Sequence, residues 1–112
     1  MREYTSFQTF WPYYLREHSD PKTRAWHYVG SSLAIAILIF ALATQSWKLL
    51  FFMPLAGYFF AWVSHAFIEH NKPATFTYPL WSLISDFKML FCFLTGKLGG
   101  ELIKAGVKTA PT

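Results

Sequence analysis

Between Tyr28 and Trp47 the chain carries no charged residue, and the run SSLAIAILIFALAT inside this stretch is built of small and branched apolar side chains. A helix of roughly 20 such residues is long enough to cross the hydrocarbon core of a bilayer. A second run, from Leu49 to Ile68, is free of acidic and basic residues apart from the titratable His65. Pro54 and Gly57 within it are kinks that a helix in lipid tolerates. Only the short turn Gln45-Ser46-Trp47-Lys48 separates the two runs, so they predict a transmembrane helical hairpin with spans over 21–44 and 48–70. Composition agrees. Of 112 residues, 54% are hydrophobic and 21% aromatic, more than one domain of this size needs for a core, and lipid would solvate the excess.

The flanking segments read as helices of a different kind. Phe7, Phe10, Trp11, Tyr14 and Leu15 recur at helical spacing and predict an amphipathic helix over 6–19, capped by Ser6. Asp20 is a good N-cap, and Pro21 suits the first position of the helix that follows. Beyond the polar stretch Glu69-His70-Asn71-Lys72-Pro73, a third helical pattern over 79–95 places Leu80, Leu83, Ile84, Phe87, Leu90, Phe91 and Leu94 on one face. Ser82, Ser85, Asp86 and Cys92 lie on the other. Asp86 and Lys88 are costly in hydrocarbon, so this helix either lies in the interface or packs its polar face against the rest of the protein. Residues 96–112 read as a polar tail. The fold class is all-α, a single small membrane domain over 1–112.

Several functions are disfavoured. Cys92 has no partner for a disulfide or a thiolate metal site. The net charge of +4 is scattered near span ends, which suits anionic headgroups and no nucleic acid. The first residues lack the apolar run of a cleaved secretion signal. There is no phosphate loop and no GxSxG elbow, and no motif supports Ser64 or Ser85 as a hydrolytic nucleophile. Trp11, Trp26, Trp47, Trp62 and Trp81 read as interfacial anchors and packing. Arg2, Arg16, Lys22 and Arg24 precede the first span and Lys72 follows the second, against Lys48 alone in the turn. The N- and C-terminal sides of the hairpin are therefore expected to face the cytoplasm.

That topology gathers His18, His27, His65 and His70 at one end. Three imidazoles from three helices can build a metal site in a helical bundle. Glu69, at i+4 from His65, shares its face in a regular helix, whereas His70 at i+5 is rotated roughly 140° away. Glu69 is the better fourth candidate, with an ordinary solvated acid as its plain alternative. A lone interfacial histidine is most often a hydrogen-bonded helix end, but His65 at the end of an apolar run is less easily explained that way. Histidines with a carboxylate suit Fe(II), and the same nitrogen and oxygen set accepts Zn or Mn. For Asp86 the plainer reading is a salt bridge to Arg24 or Lys72.

The segments YLREHSDPKTRAWH and SHAFIEHNKPATF, joined by the hairpin, resemble the membrane-embedded 2-hydroxy fatty acid dioxygenases of fatty acid α-oxidation and sphingoid-base breakdown, across about Trp11 to Asp86. The shared pattern is a histidine before a proline, a second histidine after it, and a later histidine followed by E-x-x-x-P-A. The resemblance implies an Fe(II)-dependent dioxygenase that removes one carbon from a long-chain 2-hydroxy fatty acid. It assigns metal binding to His18, His27 and His65, with Glu69 completing or orienting the site. Dioxygen would take an open coordination position, and Arg24 or Lys72, at the membrane surface, would neutralise the substrate carboxylate. Two alternatives stand beside it: a non-enzymatic membrane scaffold or accessory subunit, and a Zn-binding membrane protein.

Overall fold

Asp20 and Pro21 start a helix where the sequence predicts one. The Asp20 side chain accepts from the Lys22 N–H, and the helix runs Pro21–Thr44 before Gln45 ends it in the left-handed region. The structure, a computed structural model, describes residues 3–107. Arg2, one of the basic residues behind the orientation argument, and residues 108–112 of the expected tail lie outside the described residues. The α-helices are α1 (Phe7–Arg16), α2 (Pro21–Thr44), α3 (Phe52–Ser64), α4 (Pro79–Leu94) and α5 (Leu98–Ala105), with no strand among the described residues. A 3-10 turn, Trp47–Phe51, leads into α3, and a π turn, His65–Glu69, follows it.

At 1.5 Å per residue α2 is about 36 Å long, enough for a hydrocarbon core of about 30 Å. Both α2 and the continuous segment Trp47–Glu69 are long and apolar enough to cross a membrane. They pack on each other over the most extensive helix contact in the molecule, and small residues permit the approach. A β-carbon at Gly30 would come within 3.1 Å of Phe60 Cβ and 3.2 Å of the Gly57 carbonyl oxygen, so a larger residue would push the two helices apart by a few tenths of an ångström, and glycine suits this crossing. The outer surface is apolar: Ile39, Phe40, Leu55 and Phe59 are each about 60% exposed. Such a surface is stable against lipid tails and unstable in water.

Helix α4 settles the two alternatives for its polar face. Ser82, Ser85 and Cys92 are buried, while Leu80, Leu83, Ile84, Phe91 and Leu94 are exposed and Leu90 of the same apolar face is buried, so the polar face packs inward and most of the apolar face turns out. Lys88 rests over the rings of Trp11, at 4.5 Å, and Phe7, an arrangement in which the aromatic face offsets the charge.

Phe10, Trp11, Tyr14 and Leu15 of α1 are buried with Tyr78, Met89 and Leu98 in an aromatic-rich core at one end of the hairpin. Ser6 caps α1 as predicted. The helix stops at Arg16, short of the expected 19, and His18 lies in the turn that follows. Residues 96–107 correct the reading of 96–112 as a polar tail. Leu98, Leu102 and Ala105 stand at i, i+4 and i+7 and are buried against the core. Gly106, at φ 84, closes α5 while the Val107 N–H bonds to the Leu102 carbonyl, a left-handed helix end that favours glycine.

Candidate metal centre

His18 leaves α1 in the turn before α2, His27 lies two turns into α2, and His65 opens the π turn after α3. Arg24, itself buried, donates to the carbonyls of His18 (2.8 Å) and Ser19 (2.9 Å) and so fixes the first turn against α2. Glu69 accepts the Asp20 N–H at 2.8 Å and the Ser19 hydroxyl at 3.4 Å, tying the same turn to the end of α3. The α2 N-terminus favours a carboxylate at that place. Asn71 donates to the Glu17 carbonyl at 3.2 Å. Each segment that bears a histidine is thus tied to a neighbouring segment through the main chain.

The three imidazoles meet in a buried cluster, exposed by 1%, 4% and 1%, with one ring nitrogen from each within 4.8 Å of the others. His18 Nδ1 lies 2.6 Å from the Tyr14 carbonyl oxygen. His65 Nδ1 lies 2.6 Å from Asn71 Oδ1, and His27 Nδ1 lies 3.1 Å from Asp86 Oδ1. These acceptors assign the proton to Nδ1 in each ring, which leaves every Nε2 with a bare lone pair. His18 Nε2 and His65 Nε2 stand 3.0 Å apart, and His27 Nε2 is buried without a hydrogen-bond partner. Two lone pairs facing each other at that distance repel, and an orphaned buried nitrogen is costly. A cation bound to all three nitrogens removes both penalties.

The donor set fits a metal on other grounds too. Metal–nitrogen bonds of about 2.0–2.1 Å place adjacent ligand nitrogens about 3 Å apart, as His18 and His65 are. Metal-binding histidines characteristically donate the other N–H to a carboxylate, carbonyl or water, and all three rings donate to an oxygen here. Burial, reinforced by the neighbouring His27 and His65, holds the His18 imidazole well below the ordinary histidine range. It therefore remains neutral and able to ligate near neutral pH. Three neutral nitrogens suit Fe(II) or Zn(II) and accept Mn(II) more weakly.

Tyr14 and Asp86 have a joint part in this arrangement. The Tyr14 ring stacks on His18 with centroids 4.0 Å apart, its carbonyl orients the same imidazole, and its hydroxyl donates to Asp86. Burial and then the Asp86 charge push the Tyr14 hydroxyl well above its usual range, so it stays a donor. The salt bridge expected between Asp86 and Arg24 or Lys72 does not form. Asp86 turns inward to His27 and Tyr14 because α4 presents its polar face to the bundle.

The remaining candidates are placed elsewhere. The Glu69 carboxylate is outside the histidine group, because the widened π turn carries it toward Asp20. His70 is exposed, with φ 57, and Lys72 is exposed. Ser64 donates its hydroxyl to the Ala61 carbonyl. The sequence does not mark Tyr14 or Asn71 as site residues. Tyr14 stands at i−4 from His18, a usable signal, whereas Asn71 depends on the π turn.

Replacing Tyr14 by phenylalanine separates its two parts. The main-chain bond to His18 and the stacking persist, while the bond to Asp86 is lost. The expected cost is about 1 kcal/mol of stability with bound metal retained, read by thermal melting in detergent and metal analysis.

The family model described as 2-hydroxy-palmitic acid dioxygenase Mpo1-like matches residues 4–98. No curated protein and no solved structure matches the chain.

Proposed function

Because the chain belongs to the Mpo1-like family, described as 2-hydroxy-palmitic acid dioxygenases, we propose that it is a membrane-embedded, iron-dependent dioxygenase that shortens long-chain 2-hydroxy fatty acids by one carbon. The observation that carries this reading is the convergence of three buried Nε2 lone pairs, each ring oriented through its Nδ1–H. A scaffold whose histidines only bond helix ends has no use for such an arrangement.

In this reading His18, His27 and His65 hold the metal. Iron held by these three imidazoles would supply the dioxygen chemistry. The chain's own groups do the rest. Tyr14, Asp86 and Asn71 keep each Nδ1 protonated and each ring in place, as a preorganised site requires. Burial of the cluster keeps bulk water away from the reacting centre. Glu69 and Arg24 hold the turn that presents His18, and we assign them positioning roles, not contact with metal or substrate. Lys72 stays the exposed basic group available to a substrate carboxylate near the membrane surface. The overall change balances: the hydroxy acid and dioxygen give the shorter acid, carbon dioxide and water, and the substrate supplies all the electrons. With Arg16, Lys22, Arg24 and Lys72 at one end of the hairpin and Lys48 at the other, the reaction takes place on the cytoplasmic side.

The test is anaerobic loading of the purified protein with Fe(II), followed by oxygen and 2-hydroxypalmitate, with mass spectrometry of the product. The one-carbon-shorter acid is expected with iron, and binding without turnover is expected with Zn(II). Iron binding without the shorter acid removes this substrate. Failure to bind any metal removes the class.

A further inference from the structure

Helices α3 and α4 both pack on α2 but barely touch each other. Between them lies a cavity of about 340 Å³ lined by Ser31 and Ala34 of α2, Met53, Pro54 and Gly57 of α3, and Leu83, Asp86 and Phe87 of α4, with Leu50 and Tyr58 also on its wall. No histidine lines it, but Asp86 on its wall also accepts from His27 through Oδ1, so the cavity and the histidine cluster are neighbours across that carboxylate. The helix faces agree. Ser31 and Ala34 follow His27 at i+4 and i+7, and Gly57 and Ala61 precede His65 at i−8 and i−4, so the cavity prolongs the faces that carry the histidines.

Polarity is graded along its length. Asp86 and Ser31 lie at the histidine end, and Leu50, Met53 and Pro54 at the end near the hairpin turn. A molecule that fits both ends has one polar head and one apolar tail. From His65 to Leu50 the helix runs about 22 Å, more than the roughly 15 Å that one leaflet of a 30 Å hydrocarbon core allots to a chain.

We propose that this cleft is the acyl-chain site, with the head of a 2-hydroxy fatty acid toward the histidines and its tail toward Met53 and Leu50, and that Gly57 keeps it open and sets which chain enters. The substrate class rests on the function proposed above; the location and the part of Gly57 rest on the cavity. Gly57 lines the cavity, and a β-carbon there would meet no neighbour within 4 Å, so there is room for a side chain at this wall position, and a leucine is expected to obstruct the cleft. The gap between α3 and α4 faces the apolar outer surface, where Leu83 is 41% exposed, and this lets the tail enter sideways from lipid.

The test compares wild type, Gly57→Leu and Met53→Ala, each loaded with metal in detergent, for equilibrium binding of radiolabelled 2-hydroxypalmitate and of the short 2-hydroxybutyrate. Gly57→Leu is expected to weaken binding of the long acid by about tenfold or more, the scale of a few misplaced methylenes, with 2-hydroxybutyrate binding and metal content unchanged. Met53→Ala enlarges the far end and is expected to shift preference toward longer acids. Wild-type-like binding of the long acid by a folded Gly57→Leu overturns the proposal, as does unchanged chain preference in Met53→Ala or no binding by wild type. Binding that responds to position 57 without turnover in oxygen upholds the cleft and removes the dioxygenase reading. Turnover with unchanged chain-length dependence in both variants does the reverse.

Discussion

Alanine at any one of His18, His27 and His65 is expected to strip the purified protein of its metal, from near one equivalent per chain in wild type to roughly a tenth of that or less. The three Nε2 atoms form one site, so removal of one leaves two ligands whose mutual repulsion is no longer balanced by a tightly held cation. The losses should not add: the double variant His18→Ala/His65→Ala should hold no less metal than either single one, as expected for residues that act as a unit. Metal analysis of detergent-purified protein reads the result. Thermal melting with and without added Fe(II) supplies a second reading, because a metal at about 100 times its dissociation constant stabilises the folded chain by about 2.7 kcal/mol. That increment should vanish in all three single variants. Independent, partial losses of metal would show that the histidines do not share a site.

Asp86→Ala is expected to be the most damaging change outside the ligands. One carboxylate oxygen accepts both the Tyr14 hydroxyl and the His27 Nδ1–H, so its removal strands two buried donors. Each such donor costs about 1–3 kcal/mol, and loss of the orienting partner of a metal-binding histidine typically lowers affinity about 10–100-fold. Asp86→Asn keeps an acceptor oxygen but removes the charge, and should fall between Asp86→Ala and wild type in both melting temperature and metal affinity. If Asp86→Ala loses stability yet holds metal as tightly as wild type, Asp86 serves the fold alone.

These residues also mark where the sequence is legible and where it is not. Helix α2 is read to its ends, because Asp20 and Pro21 are strong local signals and the uncharged run leaves no competing structure. The gathering of histidines at one end follows from hairpin topology, and helical spacing sets His70 apart from the three that meet. The partner of Asp86 does not, because which neighbour meets a polar helix face depends on how α4 rotates about its axis, a tertiary property. The expectation for Glu69 fails to place it among the histidines for a different reason: it assumes regular α-helical spacing after His65, and the backbone there widens. Helix α5 is missed because Gly99 and Gly100 lower its helical signal, and its eight residues show their apolar stripe only once a core exists to receive it.

The widened turn acts as a ruler. The His65 carbonyl receives the N–H groups of both His70 and Asn71, and this return of the chain brings Asn71 Oδ1 to His65 Nδ1 while Glu69 reaches Asp20. Composition along the ruler is free where side chains point outward, as at Phe67, which is 75% exposed. Its length is not. One residue more or fewer between His65 and Pro73 would detach Asn71 from His65 and Glu69 from Asp20 together, so functional variants of this chain should accumulate substitutions in that segment while its residue count stays constant.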